Sequence, residues 1–486
     1  MLALSAAGCT REPKPAVVAT VGKLAITAEE FRDRFELNPR LLQYQNPEYA
    51  KVPFLGALIA EKLLALEAER QRLAPPARTL AFLEQIKREA TIEAFHHLEV
   101  AAKIEISEAE LRQAYARQRR VLQIQSASFK TRQEAEQFRQ RVLAGETFPQ
   151  ALAPALGGSR PQVDTMQVRW GSAAPAIEDE LFTLKAGELS APILSLGEYY
   201  VAGLLGETVD AFPTEADFQE KRETIARNLL KRKRSAAFAD SFKQMMIGKR
   251  TAIPPERFKF LVERLEELFL GQAAGGREPN PSPLSQQEFS RAEAGLAAHW
   301  QEVLVTFDDG STWTMREFLQ RLSVGRQSLD FSQRRSFRFS LRQALLAMVE
   351  QEYIYKEAAR RGLDQSAEVK GEVAMWRDNL TARHLLRQML LPDSGAMDEQ
   401  EMPALSDEQL RRLTVTLLAL SDSLNITIDQ AELRQVVVRN AGMLALKTHF
   451  PGRMVVPLPL PLENLPNWQE KIFAKMGYSA PVPPPE

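Results

Sequence analysis

Leu55, Leu58, Ile59, Leu63 and Leu66 recur at three- and four-residue steps, which predicts a helix with one apolar face. Pro75-Pro76 ends it, and a second helix is expected from about Leu80 to Lys103. Ahead of them Val17 to Gly22 alternates like a short strand. Thr27 then stands as a helix N-cap, with Glu30 placed to complete a capping box. Ile106-Ser107-Glu108-Ala109-Glu110-Leu111 opens another capped helix. After this the period changes. Val121 to Lys130 reads as a strand, Arg132 to Leu143 as a helix, Val168 and Trp170 as part of a strand and Glu178 to Leu184 as a short helix. Gly157-Gly158 and Pro161 break the chain, and Ile193 to Leu205 reads as a hairpin turning near Gly197. Residues 119–207 therefore form a small α+β unit between helical stretches. Residues 215–246 make one long polar helix, whose Lys231-Arg232-Lys233-Arg234 run reads as a solvated face.

Part of the pattern returns. Ile104 to Gln113 lines up with Ile426 to Gln435, differing only at Glu105/Thr427, Ser107/Asp429 and Glu108/Gln430. Thr27 to Phe31 lines up with Thr314 to Phe318, and Glu67 to Leu73 with Glu357 to Leu363. Three matches in one order predict two copies of a helical module, at 17–113 and 303–435. The expected organisation is a signal remnant and tether at 1–16, a helical module at 17–118 and the α+β domain at 119–207. Long helices at 208–270 would pack back on the first module. A linker at 271–300, a second helical module at 301–450 and a Pro-rich tail at 451–486 follow. The tail should be extended, with 468–476 as a short helix.

Composition narrows the class. The 486 residues carry a formal net charge of −1, so no global field draws the chain to nucleic acid. Cys9 is the one cysteine, which excludes a disulfide framework. Small residues followed by Gly8-Cys9 resemble the end of a bacterial lipoprotein signal, so Cys9 is a candidate lipidation site and membrane link. The five histidines, His96, His97, His299, His384 and His449, have no metal-ligand spacing. No phosphate loop, nucleophile elbow or cysteine pair is present. Neither a metal nor a cofactor is expected, and no catalytic residue is assigned.

Residues 119–207 resemble the parvulin family of peptidyl-prolyl isomerases. The resemblance is carried by Glu178-Asp-Glu-Leu-Phe182-Thr-Leu184-Lys-Ala-Gly187-Glu188-Leu-Ser190-Ala-Pro192-Ile193, and earlier by Lys130-Thr131, Glu134-Ala135 and Gly145-Glu146-Thr147-Phe148. Val18 to Phe31 is similar to the opening of the helical module in SurA- and PrsA-type foldases. The resemblance implies an apolar groove for a prolyl peptide, lined at the positions held here by Ser126, Ser159, Ala173, Ile177, Phe182 and Tyr199. The family's two histidine positions fall at Ser126 and Tyr199. The fold class implied is α+β, with mainly helical chaperone modules flanking a parvulin-like domain. The function implied is an ATP-independent chaperone for secreted or outer-membrane proteins in the periplasm. Its partners would be unfolded or nascent envelope proteins. A slow prolyl isomerase and a scaffold subunit of an envelope complex are the alternatives.

Overall fold

The computed structural model describes residues 16–38, 47–99, 104–153, 165–173, 175–195, 198–210, 214–270, 281–325, 327–391, 405–439, 445, 447, 450, 453–460, 462 and 465–475. Cys9, Ser159 and Gly197 lie outside them. The chain is α+β and mainly helical, and it divides into two compact units, Met1–Phe95 with Gly248–Glu486, and His96–Ile247.

In chain order, β1 (Val17–Val21), β2 (Leu24–Thr27), α1 (Ala28–Glu36), α2 (Pro47–Arg70) and α3 (Ala77–Glu99) come first. Next are α4 (Glu108–Gln118), β3 (Arg120–Phe129), α5 (Arg132–Leu143), α6 (Phe148–Leu152) and β4 (Thr165–Arg169). They are followed by α7 (Pro175–Leu181), β5 (Ile193–Ser195), β6 (Glu198–Val209) and α8 (Glu215–Met245). The chain continues through α9 (Pro255–Leu270), β7 (Ser282–Pro283), α10 (Gln286–Gly295), β8 (Val303–Thr306), β9 (Thr312–Thr314), α11 (Met315–Gly325), β10 (Ser328–Leu329) and α12 (Arg334–Arg360). It closes with α13 (Ala367–Leu390), α14 (Asp407–Ser423), β11 (Ile426–Ile428), α15 (Gln430–Gln435) and α16 (Pro466–Lys475).

In the first unit, β1-β2-α1-α2-α3 and β8-β9-α11-α12-α13 share one order: a hairpin, a capped helix and two long helices. The two series interlock. β11, from the later series, pairs antiparallel with β1 from the earlier, with Thr20 opposite Thr427. Gly22 turns the β1–β2 hairpin at φ +54°, where a side chain would be strained. Its N–H donates to the carbonyl of Asn425 at 2.8 Å. α2 lies against α13, and Leu55, Leu58, Ile59 and Leu63 share one core with Phe31, Phe35, Leu385 and Leu386. α3 meets α12 where Arg88 pairs with Glu352 and lies over the Tyr355 ring. The edge of β8 is met by Ala252, which exchanges two backbone hydrogen bonds with Thr306 at 2.9 Å.

In the second unit the sheet order is β4-β3-β6-β5, all antiparallel. Ala127, Phe129 and Val201 pack on Phe138 and Phe148 of α5 and α6. Leu122, Ile124, Ala202 and Leu204 share the other core with Trp170, Phe182, Tyr115 of α4 and Phe218 of α8.

Four expectations change. Of residues 208–270, α8 belongs to the second unit, since Phe218 and Ile225 close the core of its sheet. The 271–300 stretch holds α10, started by a Ser285–Glu288 capping box, so only part of it can be a linker. The tail, expected as an extended stretch with a short helix, also supplies core: Leu460, Leu462, Leu465, Trp468 and Ile472 are buried in the first unit. Thr27 does cap α1, accepting from Glu30 N–H at 3.0 Å, but the Glu30 carboxylate does not close the box. It turns instead to Lys62 at 3.1 Å and Arg34 at 3.3 Å.

Candidate peptide-binding sites

The sheet of the second unit separates the positions that the resemblance groups together. Side chains alternate along a strand, so positions three apart face opposite sides. Ser126 stands opposite Ala202, and Tyr199 stands opposite Phe129. Tyr199 packs with Phe129 and Val201 on the side of α5 and α6. Ser126 falls on the other side, with Ile124 and Ala202. Phe182 is buried on that other side, and Ala173 and Ile177 pack against the same cluster. Ser126 and Tyr199 therefore cannot act as a pair on one bound amide.

The side that carries Ala173, Ile177 and Phe182 is closed by a feature sequence reading missed. Arg232 of α8 does not sit on a solvated face. It donates to Glu178 at 2.5 Å, to Asp179 at 2.6 Å and to the carbonyl of Pro175 at 3.4 Å, and its guanidinium lies 5.6 Å from the Trp170 ring centre. Glu178 is buried and also accepts the backbone N–H of Ala173 at 2.7 Å. One arginine thus pins the segment that supplies two of the expected groove residues. Lys233 is engaged too, through Glu110 at 2.6 Å and the carbonyl of Glu105 at 2.7 Å. Lys231 and Arg234 remain exposed, as expected of the run.

The first unit contains a second polar arrangement, and no motif marked it in the sequence. Glu61 of α2 is buried beneath Arg34 of α1, which donates to it twice, at 2.7 and 2.8 Å. Asn379 of α13 donates to the same carboxylate at 2.6 Å, and Arg383 donates to Asn379 at 2.9 Å. Burial by itself would raise the Glu61 pKa. Arg34, Lys62 and Asn379 more than offset this and hold the carboxyl below its ordinary value. Lys62 is likewise opposed by burial, but Glu30, Asp378 and Glu61 hold its pKa above the usual value.

Three of these side chains have donors left over, and they aim them at the chain's own main chain. Arg34 Nε reaches the carbonyl of Pro457 at 3.3 Å, and Asn379 reaches that of Leu458 at 3.0 Å. Arg383 Nη2 reaches those of Leu458 at 2.7 Å and Pro459 at 3.5 Å. No candidate metal cluster of His, Cys, Asp and Glu occurs among the described residues.

No family model and no curated protein matches this sequence. Among solved structures the chain is similar to PrsA foldase proteins and SurA-like chaperones. The peptidylprolyl isomerase PrsA of Bacillus cereus is 16% identical, covering 46% of this chain and 87% of its own, with a TM-score of 0.21. A SurA-like chaperone of Campylobacter jejuni is 16% identical over 48% of this chain and 97% of its own, with a TM-score of 0.22. The foldase protein PrsA of Streptococcus pneumoniae is 14% identical over 45% and 87%, with a TM-score of 0.22. These likenesses concern fold alone.

Proposed function

We propose that the chain is an ATP-independent chaperone that holds extended segments of unfolded or nascent envelope proteins, secreted or outer-membrane, in the periplasm. Its parvulin-like unit contributes peptide contact, and not fast prolyl isomerisation. The observation that carries this reading is the fate of the two histidine positions. Ser126 and Tyr199 carry no imidazole, and they face opposite sides of the sheet. Isomerisation needs a twisted amide held across a barrier of ~18–20 kcal/mol, and apolar contact from one side supplies binding without that polar pair.

Binding would rest on burial of apolar client surface. At ~25 cal/mol per Å², a few hundred Å² offsets the entropy of association only modestly, so affinities are expected in the micromolar range. The test is light scattering from a urea-unfolded outer-membrane β-barrel protein diluted into buffer without ATP. Stoichiometric protein should slow aggregation of several unrelated clients. Absence of any effect would favour a scaffold role instead.

Anchoring belongs to the same proposal. A lipid on Cys9 would tether the chain to a membrane, each buried CH₂ contributing ~0.8 kcal/mol. Cys9→Ser should then shift the protein from membrane to soluble fractions. Unchanged fractionation removes the anchor.

A further inference from the structure

The strongest unexplained feature is the way the first unit holds residues 453–460, Arg-Met-Val-Val-Pro-Leu-Pro-Leu. This strap forms no strand, and Pro457 and Pro459 have no N–H to give to one. From Pro457 to Pro459, three successive carbonyls accept from Arg34, Asn379 and Arg383, all three of them buried. Two of these donors carry full positive charge, which makes their bonds to a carbonyl stronger than neutral ones. Val456, Pro457, Pro459 and Leu460 are themselves buried.

Two properties set this cleft apart from ordinary core packing. First, its donors are positioned without help from the strap. Glu61 fixes Arg34 through two bonds and Asn379 through one, and Asn379 fixes Arg383. The cleft is therefore pre-organised on α1, α2 and α13 alone. Second, what the donors read is main-chain carbonyl, which every polypeptide offers. Over residues 456–460 the side-chain demand is only for apolar residues and for a chain extended enough to place three carbonyls in succession, as Pro-rich segments are; Arg453, at the start of the strap, is held outside this cleft by buried Glu89 at 2.9 Å and by the carbonyl of Val324.

We infer that the cleft between α1, α2 and α13 is a client site for extended, apolar, proline-containing polypeptide, and that residues 453–460 are a resident occupant which clients displace. This rests on the chaperone reading and names the site where it would act. The strap acts as a built-in competitor. Apparent client affinity is lowered by the fraction of time the strap is seated, so weakening the strap strengthens binding.

The test uses the full chain and a fluorescent synthetic peptide with the sequence of residues 453–465 as the probe. Leu460→Ser loosens the strap and leaves the cleft's donors in place. Fluorescence anisotropy should show the labelled peptide binding about tenfold more tightly to Leu460→Ser than to the parent chain. Binding unchanged or weaker in a variant whose circular dichroism is native overturns the proposal. Hydrogen exchange in the parent chain decides the matter if that variant does not fold. The amides of Val455, Val456, Leu458 and Leu460 should exchange faster than the α2 core, and faster again with excess unlabelled peptide. Exchange of these amides only through global unfolding, with no response to peptide, overturns it equally. A chain that suppresses client aggregation while its strap stays shut would leave the chaperone reading standing and remove this site.

Discussion

The two halves of the first unit place the same problem, a buried charge between long helices, in opposite signs. In the register that sets Glu67 beside Glu357, Lys62 of α2 corresponds to Glu352 of α12. In the register that sets Ala77 beside Ala367, Arg88 of α3 corresponds to Asp378 of α13. Lys62 pairs with Asp378 at 2.9 Å, and Glu352 pairs with Arg88 and, at 3.2 Å, with Arg321. The cation and the anion have exchanged helices. Pairing α2 with α3, or α12 with α13, would set Lys62 against Arg88 or Glu352 against Asp378. Like charges at such depth disfavour those pairings, so the swap specifies that each early helix meets a late one.

The halves differ in packing as well. α2 carries Gly56, Ala60 and Ala65 where α12 carries Leu346, Glu350 and Tyr355. Gly56 makes room for Gln469 of α16, whose side chain would lie 3.0 Å from a Cβ there, and the core shared by α2 and α13 is continuous. α3 and α12 are spaced by longer side chains, with the Arg88 guanidinium 3.8 Å from the Tyr355 ring centre. A polar cavity of about 20 Å³ remains there, lined by residues such as Gln85, Arg88, Arg321 and Glu352. The α2–α13 contact buries its charges within a continuous core; the α3–α12 contact leaves a small cavity beside its own.

The largest effect is expected where the α2–α13 contact loses its central anion. Glu61→Ala leaves Arg34 and Asn379 buried without their acceptor, and breaking a buried pair from one side costs about 3–5 kcal/mol. The urea midpoint of the full chain, read by near-ultraviolet circular dichroism, checks this. The acid limb sharpens it. The Glu61 pKa is depressed in the folded chain, so its contribution is fully present above the unfolded carboxyl range and is lost as pH falls through the lower folded value. Glu61→Gln should flatten that part of the profile of Tm against pH.

Charge reversal compares the halves directly. Lys62→Glu sets a carboxylate against Asp378 and Glu30 and should cost about 3–4 kcal/mol. Adding Asp378→Lys copies the sign order of the other half and should recover part of the loss, since Glu30 still opposes the new glutamate. Glu352→Lys should cost about 1–2 kcal/mol, between the ranges for exposed and buried pairs, because the cavity beside it gives the new side chain room to turn away from Arg88 and Arg321. Equal penalties in the two halves would break the comparison.

Sequence reading reached the elements that depend on local chemistry. The Ser107–Glu110 box and the helix–strand alternation of 119–207 are both written in spacing. Thr27 and Thr314, which it aligned, each follow a hairpin and start a helix, whereas its alignment of Ile104 with Ile426 sets a segment without a strand against β11. What it missed depends on partners distant in sequence. Glu30 belongs to a capping pattern, yet Lys62 at the far side of α1 takes its carboxylate. Arg232 lies in a basic run that looks solvated, and only the fold brings Trp170 and Glu178 to it. The Pro-Leu alternation near the C-terminus reads only as an extended Pro-rich tail, because Arg34 and Arg383, which hold it, lie about 420 and 75 residues away. The positions matched to the parvulin histidines could be named from the motif, but their opposite facing follows from the β3–β6 register alone.

The central claim is that this chain handles polypeptide without the isomerase chemistry its second unit resembles. Exchange NMR on a Leu-Pro peptide tests it most directly, with the full chain at the concentration that protects an unfolded client. The cis–trans rate should stay close to that of the peptide alone, because neither Ser126 nor Tyr199 supplies an imidazole and the two cannot meet on one amide. Acceleration to the level of an intact parvulin would contradict the account.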